Sequence, residues 1–249
     1  MKKAANLYYK QNSFEYVGES GVQSYSDPSG IYPYHLGPSD SLEGWQFKAA
    51  YFDSPMRLSE GTWHVRSTME IKKSNLHIVG SGYHTVFQAI PTNSSITDGI
   101  FKISGNNVII EGVRFDDGGI AMDGLITGSG VTSLTLRGCW FDASASTYLT
   151  KMTLADSLVI ENCVGTHTGG SGEGLYALDS DDAMIQNNRV TSVRNGVNLD
   201  STNTAVAAQR CNEGIVVGNH VGASGIIRYN SSGSHRVLAN NVNATLTTY

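Results

Sequence analysis

The sequence has little cysteine, proline or charge. It contains 3 cysteines and 5 prolines in 249 residues, and charged residues make up 16%, where about a quarter is usual in a globular protein. Cys139, Cys163 and Cys211 form neither an even disulfide framework nor a metal-binding spacing. We therefore expect free thiols, no metal site and no cofactor.

Long apolar runs and clusters of basic residues are also missing. The sequence contains no run of 18 apolar residues, the length needed to cross a membrane. The first residues, MKKAANLYYK, lack the apolar stretch of a secretory signal. The formal net charge is −5, and no basic patch is present to neutralise phosphates. The sequence thus argues against membrane insertion and against a nucleic-acid partner.

Short apolar runs recur along the chain instead, beginning with Met69–Ile71 and Leu76–Ile78. The second run of each later unit fits a six-residue pattern: 110–115, 136–141, 159–164, 185–190, 216–221 and 237–242. Successive units end 21 to 31 residues apart. Repeats of this length are typical of solenoids, whose turns stack about 4.8 Å apart. The 28 glycines suit the many tight corners of such a fold.

Two columns of equivalent positions follow from this alignment. The residues at the fourth position of the six-residue pattern are Val113, Cys139, Asn162, Asn188, Asn219 and Asn240. The last four predict a ladder of stacked asparagine side chains. Cys163 falls in the adjacent column, so we expect the Cys139 and Cys163 side chains to point to opposite faces. The upstream column of inward residues is Ile71, Ile103, Ile126, Met152, Leu178, Leu199 and then Ile227 or Tyr229.

The upstream column also predicts an outward face. The residues that precede it are Glu70, Lys102, Leu125, Lys151, Ala177, Asn198 and Arg228. One repeat is lengthened by about ten residues near 200–212, and insertions in solenoids form loops, often on the binding face.

The repeats and the opening residues resemble the right-handed parallel β-helix of the pectate-lyase-like superfamily, in particular bacteriophage tailspikes. The resemblance rests on the segment 40–50, Gly61-Thr-Trp63 and the turn sequence at 75–82, and it spans about four-fifths of the chain. It implies an all-β fold, a right-handed single-stranded parallel β-helix of about seven coils with an N-terminal capping helix. The superfamily includes lyases, hydrolases, epimerases and inert fibres, so fold does not decide activity.

The chain divides into two parts by composition. Residues 1–39 hold six of the 12 tyrosines and predict an extended arm, which either wraps the chain's own first coils or docks on another virion protein. Residues 40–249 predict the β-helix domain, with the capping helix at 40–51. No second cap follows residue 242, which favours a homotrimer, as the resemblance implies, or docking to a partner.

Candidate chemistry lies beside the upstream column. Asp179 and Asp200 follow it on consecutive coils, which predicts two carboxylates about 4.8 Å apart, with Glu173 nearby. Such a pair could cleave a glycosidic bond or hold a ligand, but acidic residues also cap β-helix corners. The predicted substrate-binding residues are Lys151, Asn198, Arg228, Trp140 and Asp182.

Two other candidate residues also have a purely structural interpretation. His167 lies in a glycine-rich stretch that predicts a mobile loop, so an exposed histidine is favoured over a catalytic base. Trp140 either stacks on a sugar or packs against a neighbouring subunit.

Three functions remain open. The favoured hypothesis is a virion-associated spike, tailspike-like, that binds host-surface glycans and in one version cleaves them. The second is a stand-alone polysaccharide lyase or glycoside hydrolase, secreted from a bacterium, in which Lys151 or Arg228 neutralises acidic sugars. The third is a purely structural virion decoration protein.

Overall fold

The protein is described here from a computed structural model. The structure describes residues 56–90, 96–169, 172–191, 195–200 and 213–222 with their side chains. Elsewhere it describes the backbone of strands at 7–10, 13–18, 21–26, 34–36, 226–229, 236–237 and 245–248.

The strands alternate with short corners from one end of the described chain to the other. Four of them lie in the N-terminal 39 residues: β1 (Leu7–Lys10), β2 (Ser13–Gly18), β3 (Gly21–Ser26) and β4 (Tyr34–Leu36). The first four solenoid turns contain β5 (Met56–Leu58), β6 (Gly61–Val65), β7 (Met69–Ile71), β8 (His77–Val79), β9 (Thr85–Ala89), β10 (Phe101–Ile103), β11 (Val108–Glu111), β12 (Arg114–Asp116), β13 (Gly124–Ser129), β14 (Leu134–Arg137), β15 (Trp140–Ala143) and β16 (Tyr148–Thr153). The remaining turns contain β17 (Val159–Glu161), β18 (Val164–His167), β19 (Glu173–Leu178), β20 (Met184–Gln186), β21 (Arg189–Thr191), β22 (Asn195–Asp200), β23 (Ile215–Val217), β24 (His220–Val221), β25 (Ile226–Tyr229), β26 (Arg236–Val237) and β27 (Thr245–Thr248).

Three parallel sheets run the length of the solenoid, and each turn from β5 to β25 contributes one strand to each sheet. Sheet 1 has nine strands, in the order β26-β23-β20-β17-β14-β11-β8-β5-β4. Sheet 2 has seven, β24-β21-β18-β15-β12-β9-β6, and sheet 3 has eight, β27-β25-β22-β19-β16-β13-β10-β7. The predicted all-β parallel β-solenoid is therefore confirmed.

Two details of the prediction differ from the described part of the chain. Six turns, from β5 to β22, have all three strands described together with their side chains, slightly fewer than the seven coils predicted. Among the described residues there is no α-helix, only a 3-10 turn at Gly82–His84. The predicted capping helix at 40–51 lies outside those residues.

The N-terminal strands form two different associations. Strands β1, β2 and β3 make a small antiparallel sheet of their own, whereas β4 pairs in parallel with β5 and so extends sheet 1. Residues before position 40 thus contribute a strand to the solenoid. The domain boundary itself stays a prediction.

The interior is a thin core of stacked side chains. In sheet 2, Trp63, Phe87, Phe115 and Phe141 occupy the same inward position on successive turns. Their rings stack with centroids 5.6, 6.0 and 5.9 Å apart. The next residue in the row is Gly165, where a side chain would come within 2.5 Å of the Leu149 Cδ1 atom. The aromatic stack ends there because Leu149 already fills the space.

Gly165 also shifts the predicted asparagine ladder by one residue. Residues with positive φ mark the same corner on each turn, and they are Gly112, Gly138, Asn162, Asn187 and Gly218. The buried position after that corner is held by Val113, Cys139, Cys163, Asn188 and Asn219. Asn162 is therefore an exposed corner residue, and the prediction that placed it in the ladder is wrong.

The cysteine prediction changes for the same reason. Cys139 and Cys163 occupy the same column, and the Cys139 N–H donates to the Cys163 Sγ atom at 3.4 Å. Both thiols are free and buried. Burial raises the pKa of the Cys163 thiol well above its ordinary value. The expectation that these side chains point to opposite faces is wrong.

Asn188 and Asn219 do form a buried ladder. The Asn188 Nδ2 atom donates to the Asn219 Oδ1 atom at 3.0 Å and to the Ile160 carbonyl at 2.9 Å. Its Oδ1 atom accepts the Cys163 N–H at 2.8 Å, and Asn219 donates in turn to the Ile185 carbonyl at 2.8 Å. The ladder thus satisfies backbone groups that the corner leaves without sheet partners.

A buried carboxylate holds a second corner in place. Asp117, which follows β12, accepts the backbone N–H groups of Gly119, Ser144, Ala145 and Ser146, and the hydroxyls of both serines. Burial opposes ionisation, but the four backbone donors outweigh it and lower the pKa of Asp117 below its ordinary value. Asp117 therefore ties the corner after β15 to the turn before it.

We expect Asn188→Ala to destabilise the fold by about 2–4 kcal/mol, because it removes the partners of three buried groups. Urea unfolding of the purified protein measures this change. Asn187→Gly is the matched control: Asn187 is the exposed corner neighbour with φ 54°, and glycine adopts that conformation readily. Equal unfolding midpoints for Asn188→Ala and the wild type would contradict the structural role of the ladder.

Asp117→Asn should lower the free energy of unfolding by about 2–4 kcal/mol near pH 7, since an amide cannot accept all these donors. The folded-state pKa is depressed, so this stabilisation is present above the unfolded-state pKa of about 3.9 and is lost as the pH falls through the lower folded value. The difference between variant and wild type should shrink in acid. Asp98→Asn, at an exposed ion pair, is the control and should change stability little at either pH. A difference that stays constant with pH would contradict the ionised state of Asp117.

Candidate functional site

The outer face of sheet 3 carries a row of polar and aromatic side chains on consecutive turns. The register pairs Lys151 with Tyr176 and Tyr176 with Asn198. Arg228 follows Asn198 in the same register, where the structure describes its backbone. Parallel strands place successive outward residues about 4.8 Å apart, so the row forms one continuous strip.

Two tyrosines form the centre of the strip. The rings of Tyr148 and Tyr176 lie with centroids 4.8 Å apart and tilted by 35°. The Tyr176 hydroxyl donates to the Asp200 Oδ2 atom at 3.0 Å. Burial raises the pKa of Tyr176, and the negative charge of Asp200 raises it further, so the hydroxyl stays a donor throughout the physiological range.

Lys151 and Asp123 form an ion pair beside the Tyr148 ring of this tyrosine pair. The Lys151 Nζ atom contacts both carboxylate oxygens of Asp123, at 2.8 and 3.1 Å. It also lies 5.4 Å from the centroid of the Tyr148 ring, within the range of a cation–π contact. Burial, as the largest cause, raises the pKa of the Tyr148 hydroxyl. We call Asp123, Tyr148, Lys151, Tyr176 and Asp200 the tyrosine site.

Glu173 lies next to the tyrosine site and is almost fully buried. It pairs in register with Tyr148, and its Oε2 atom accepts the Asn195 Nδ2 atom at 2.6 Å. The side chain is 5% exposed. Glu173, which the sequence analysis placed near Asp179 and Asp200, thus lies beside the tyrosine site. There it links its own strand to Asn195 of the next turn.

The structure does not place Asp179 and Asp200 in the same register position. Asp200 pairs with Leu178, and Asp179 is one residue farther along, in a corner with φ 50°. The Asp179 backbone N–H donates to the Asp200 carbonyl at 3.0 Å. The two residues are neighbours through their backbones, but the prediction that they are equivalent positions on consecutive coils is wrong.

Two small residues explain this error. The inward column contains Ile103, Gly128, Met152, Ala177 and Leu199. A side chain at Gly128 would meet the Met152 Sδ atom at 3.0 Å, so the long Met152 side chain fills space that its small neighbours leave. An alignment that required large apolar residues chose Ile126 and Leu178 instead.

The corrected column changes the predicted outward face as well. Leu125 and Ala177, predicted outward, are fully buried. Thr127 and Tyr176 take the outward positions, where they are 8% and 7% exposed. Sequence reasoning therefore missed Tyr176, and with it Tyr148 and Asp123. The unusually long interval after Ile126 could have revealed Gly128 as the inward residue of its turn, but no such interval marks Ala177, whose small side chain hid the outward position of Tyr176.

Trp140 belongs to a different surface. It lies on the outer face of sheet 2, in register with Arg114 and Val164. Its ring meets that of Tyr83 edge to face, with centroids 5.9 Å apart, and the Arg114 guanidinium lies 4.3 Å from the Tyr83 centroid. Trp140 therefore does not join the tyrosine site.

Asp182 and His167 also lie outside the site. Asp182 is an exposed corner residue with φ 53°. His167 is 2% exposed in β18, with its Nε2 atom 2.6 Å from the Ser146 carbonyl and its Nδ1 atom accepting the Gly169 N–H at 3.1 Å. The expectation of an exposed loop histidine is wrong, because the ring packs into the corner that glycines leave open.

Among the described residues, no group of three or more His, Cys, Asp or Glu side chains is placed to hold a metal ion. In the same part of the chain, no helix is long and apolar enough to span a membrane.

Solved structures with the same architecture include two classes of protein. The chain is similar to the catalytic domain of a GH87 α-1,3-glucanase in complex with nigerose, at a TM-score of 0.55 and 16% identity over 92% of this chain and 42% of that one. It is similar to a pectin methylesterase in complex with a hexasaccharide, at a TM-score of 0.56 and 12% identity over 88% and 81%. It is also similar to pectin methylesterase PemA from Erwinia chrysanthemi, at a TM-score of 0.50 and 13% identity over 80% and 71%.

The chain spans less than half the length of the glucanase domain. Neither a protein-family model nor a curated protein matches the sequence. At these identities the structural likeness extends to the fold, which is a parallel β-solenoid.

Proposed function

We propose that this protein binds a glycan chain across the outer face of sheet 3, at the tyrosine site. The observation that carries the proposal is the tilted Tyr148–Tyr176 pair, with an ammonium group on one side and a carboxylate on the other. Sugar-binding surfaces need flat apolar area together with fixed hydrogen-bonding groups, and this strip combines both.

The chemistry of each group suits a sugar. The half-buried Tyr148 ring, packed against the buried Tyr176, offers an apolar face to the C–H groups of a pyranose ring. The half-buried Asp200 and Asp123 carboxylates accept hydrogen bonds from hydroxyls. Both carboxylates are held by a protein partner, which reduces the entropy lost when a ligand binds.

The geometry of the solenoid suits a polymer. Equivalent outward positions recur on every turn, so a chain that lies across the strands passes Lys151, Tyr176 and Asn198 in succession. Lys151 is the most exposed of the three, since Tyr176 and Asn198 are 7% and 4% exposed. The glucanase and pectin methylesterase structures with the same fold hold nigerose and a hexasaccharide, and this supports a saccharide ligand for the present chain.

Cleavage of the glycan is the second part of the proposal. If the protein is a glycoside hydrolase or polysaccharide lyase, Asp200 is the strongest candidate for the acid or base, because it lies at the surface and contacts Tyr176 directly. Glu173 and Asp179 are both buried and would act by positioning Asn195 and the Asp200 backbone.

We further propose that the protein acts as a spike on a virion, tailspike-like and assembled as a homotrimer. The separate antiparallel sheet of β1, β2 and β3 supports this role, because an arm with its own sheet is suited to docking on another protein. A secreted bacterial enzyme and a purely structural decoration protein are the alternatives.

Binding should depend on the tyrosine site. We expect Tyr148→Ala to weaken glycan binding on the order of tenfold, since it removes one ring of the aromatic pair. Glycan-array binding followed by titration calorimetry on the hits measures this loss, with Tyr83→Ala, in the 3-10 turn that packs against Trp140 of sheet 2, as the matched control. Release of reducing ends from the same hits tests cleavage, which Asp200→Asn should abolish and Asp182→Asn should leave intact. Equal affinities of Tyr148→Ala and wild type would refute the location of the site.

The spike proposal predicts a trimer in solution. Light scattering on the full chain should give three times the mass of 26.7 kDa, and deletion of residues 1–26 should leave the trimer unchanged if that segment docks on another protein. A stable monomer would refute the trimeric spike and favour the single-chain enzyme.

A further inference from the structure

The charges around the tyrosine pair are mostly negative. The described ionisable side chains on or beside the pair are one ammonium and four carboxylates: Lys151, Asp123, Glu173, Asp179 and Asp200. The sign of this surface is a property of the described sheet 3 strands, and it bears on which glycans the site accepts.

The ammonium group of Lys151 already forms an ion pair with Asp123. Lys151 contacts both oxygens of Asp123, at 2.8 and 3.1 Å, so its charge is balanced within the protein. A uronate that took Lys151 as its partner would displace Asp123 and leave that carboxylate facing the sugar. The exchange creates no net attraction, and the remaining carboxylates repel the incoming anion.

The tyrosines respond to the same negative charge. After burial, the largest cause, the nearby carboxylates also raise the pKa of Tyr176 and contribute to the raised pKa of Tyr148. Each hydroxyl therefore stays protonated. The Tyr176 hydroxyl donates to Asp200, and the Tyr148 hydroxyl is the one that can donate to a sugar hydroxyl.

We propose that the tyrosine site selects neutral glycans and rejects uronate-containing chains, with the Asp123–Lys151 pair acting as the selecting element. This inference rests on the proposed function and adds the chemical class of its ligand. It reverses the sequence-based expectation that Lys151 neutralises acidic sugars, because that lysine has an internal counter-ion one turn away.

Matched polymers test the proposal. A set of polyuronates with different linkages is prepared, each beside its carboxyl-reduced form, which has the same linkage and length without the charge. Affinities are measured by calorimetry or biolayer interferometry with the full-length protein at low and at moderate salt. We expect each bound pair to favour the reduced polymer by about tenfold or more at low salt, with a smaller ratio at higher salt.

Asp123→Asn should weaken the discrimination against polyuronates. Releasing the Lys151 ammonium should strengthen polyuronate binding on the order of fivefold, whereas the reduced polymer, which loses a carboxylate acceptor at Asp123, should bind no more tightly than it does to the wild type. Asp98→Asn is the matched control, because it releases Lys102 from an equivalent contact of 2.7 Å in the same outward column but away from the tyrosines. Circular dichroism and urea unfolding establish that both variants are folded.

The outcomes separate the two proposals. Equal or tighter binding of native polyuronates by the wild type overturns the inference and leaves the glycan-binding function standing. Failure to bind any polymer, native or reduced, overturns both. An Asp123→Asn variant that binds polyuronates no better than the wild type, or an Asp98→Asn variant that gains as much, overturns the role of the Asp123–Lys151 pair.

Discussion

Hydrogen bonding between successive turns is the constraint on which the rest of this molecule depends. Each solenoid strand pairs in parallel with the equivalent strand one turn earlier and one turn later, so every side chain lies directly over its counterpart. A residue type that suits its position once can therefore be repeated, as the stacked rings of Phe87, Phe115 and Phe141 illustrate. The same repetition makes the fold sensitive to a slip, because a shift of one residue exchanges inside and outside.

The corners add a second layer of specification. The side chains of Asn188 and Asn219 each satisfy backbone groups of the preceding turn, and the Asp117 carboxylate accepts four backbone N–H groups at another corner. Buried polar groups of this kind are stabilising only when they are fully paired. They therefore hold neighbouring turns in one relative position, and with them the side chains on the outer faces.

The tyrosine site is a consequence of this stacking. Its members come from strands that are more than twenty residues apart in sequence, such as Tyr176 and Asp200, and each is rigidly placed by the sheet. Aromatic area, paired charge and hydrogen-bonding groups thus meet on one strip. The proposed glycan would lie across several turns of this strip, and the proposed preference for neutral chains follows from the carboxylates beside the tyrosine pair.

The sequence by itself determined the repeat, the parallel β-solenoid class, the outward positions of Lys151 and Asn198, and the asparagine ladder at Asn188 and Asn219. These features follow from local apolar periodicity and residue type, which are legible without a structure. Only the tertiary structure decided the register at Gly128, Gly165 and Ala177, because a small residue can lie inside wherever a neighbour such as Met152 or Leu149 fills the space. The tyrosine pair, the Cys139–Cys163 contact and the ion pair of Asp123 with Lys151 depend on that register. Their partners are set by which turn lies above which, a relation between distant segments that no local pattern encodes.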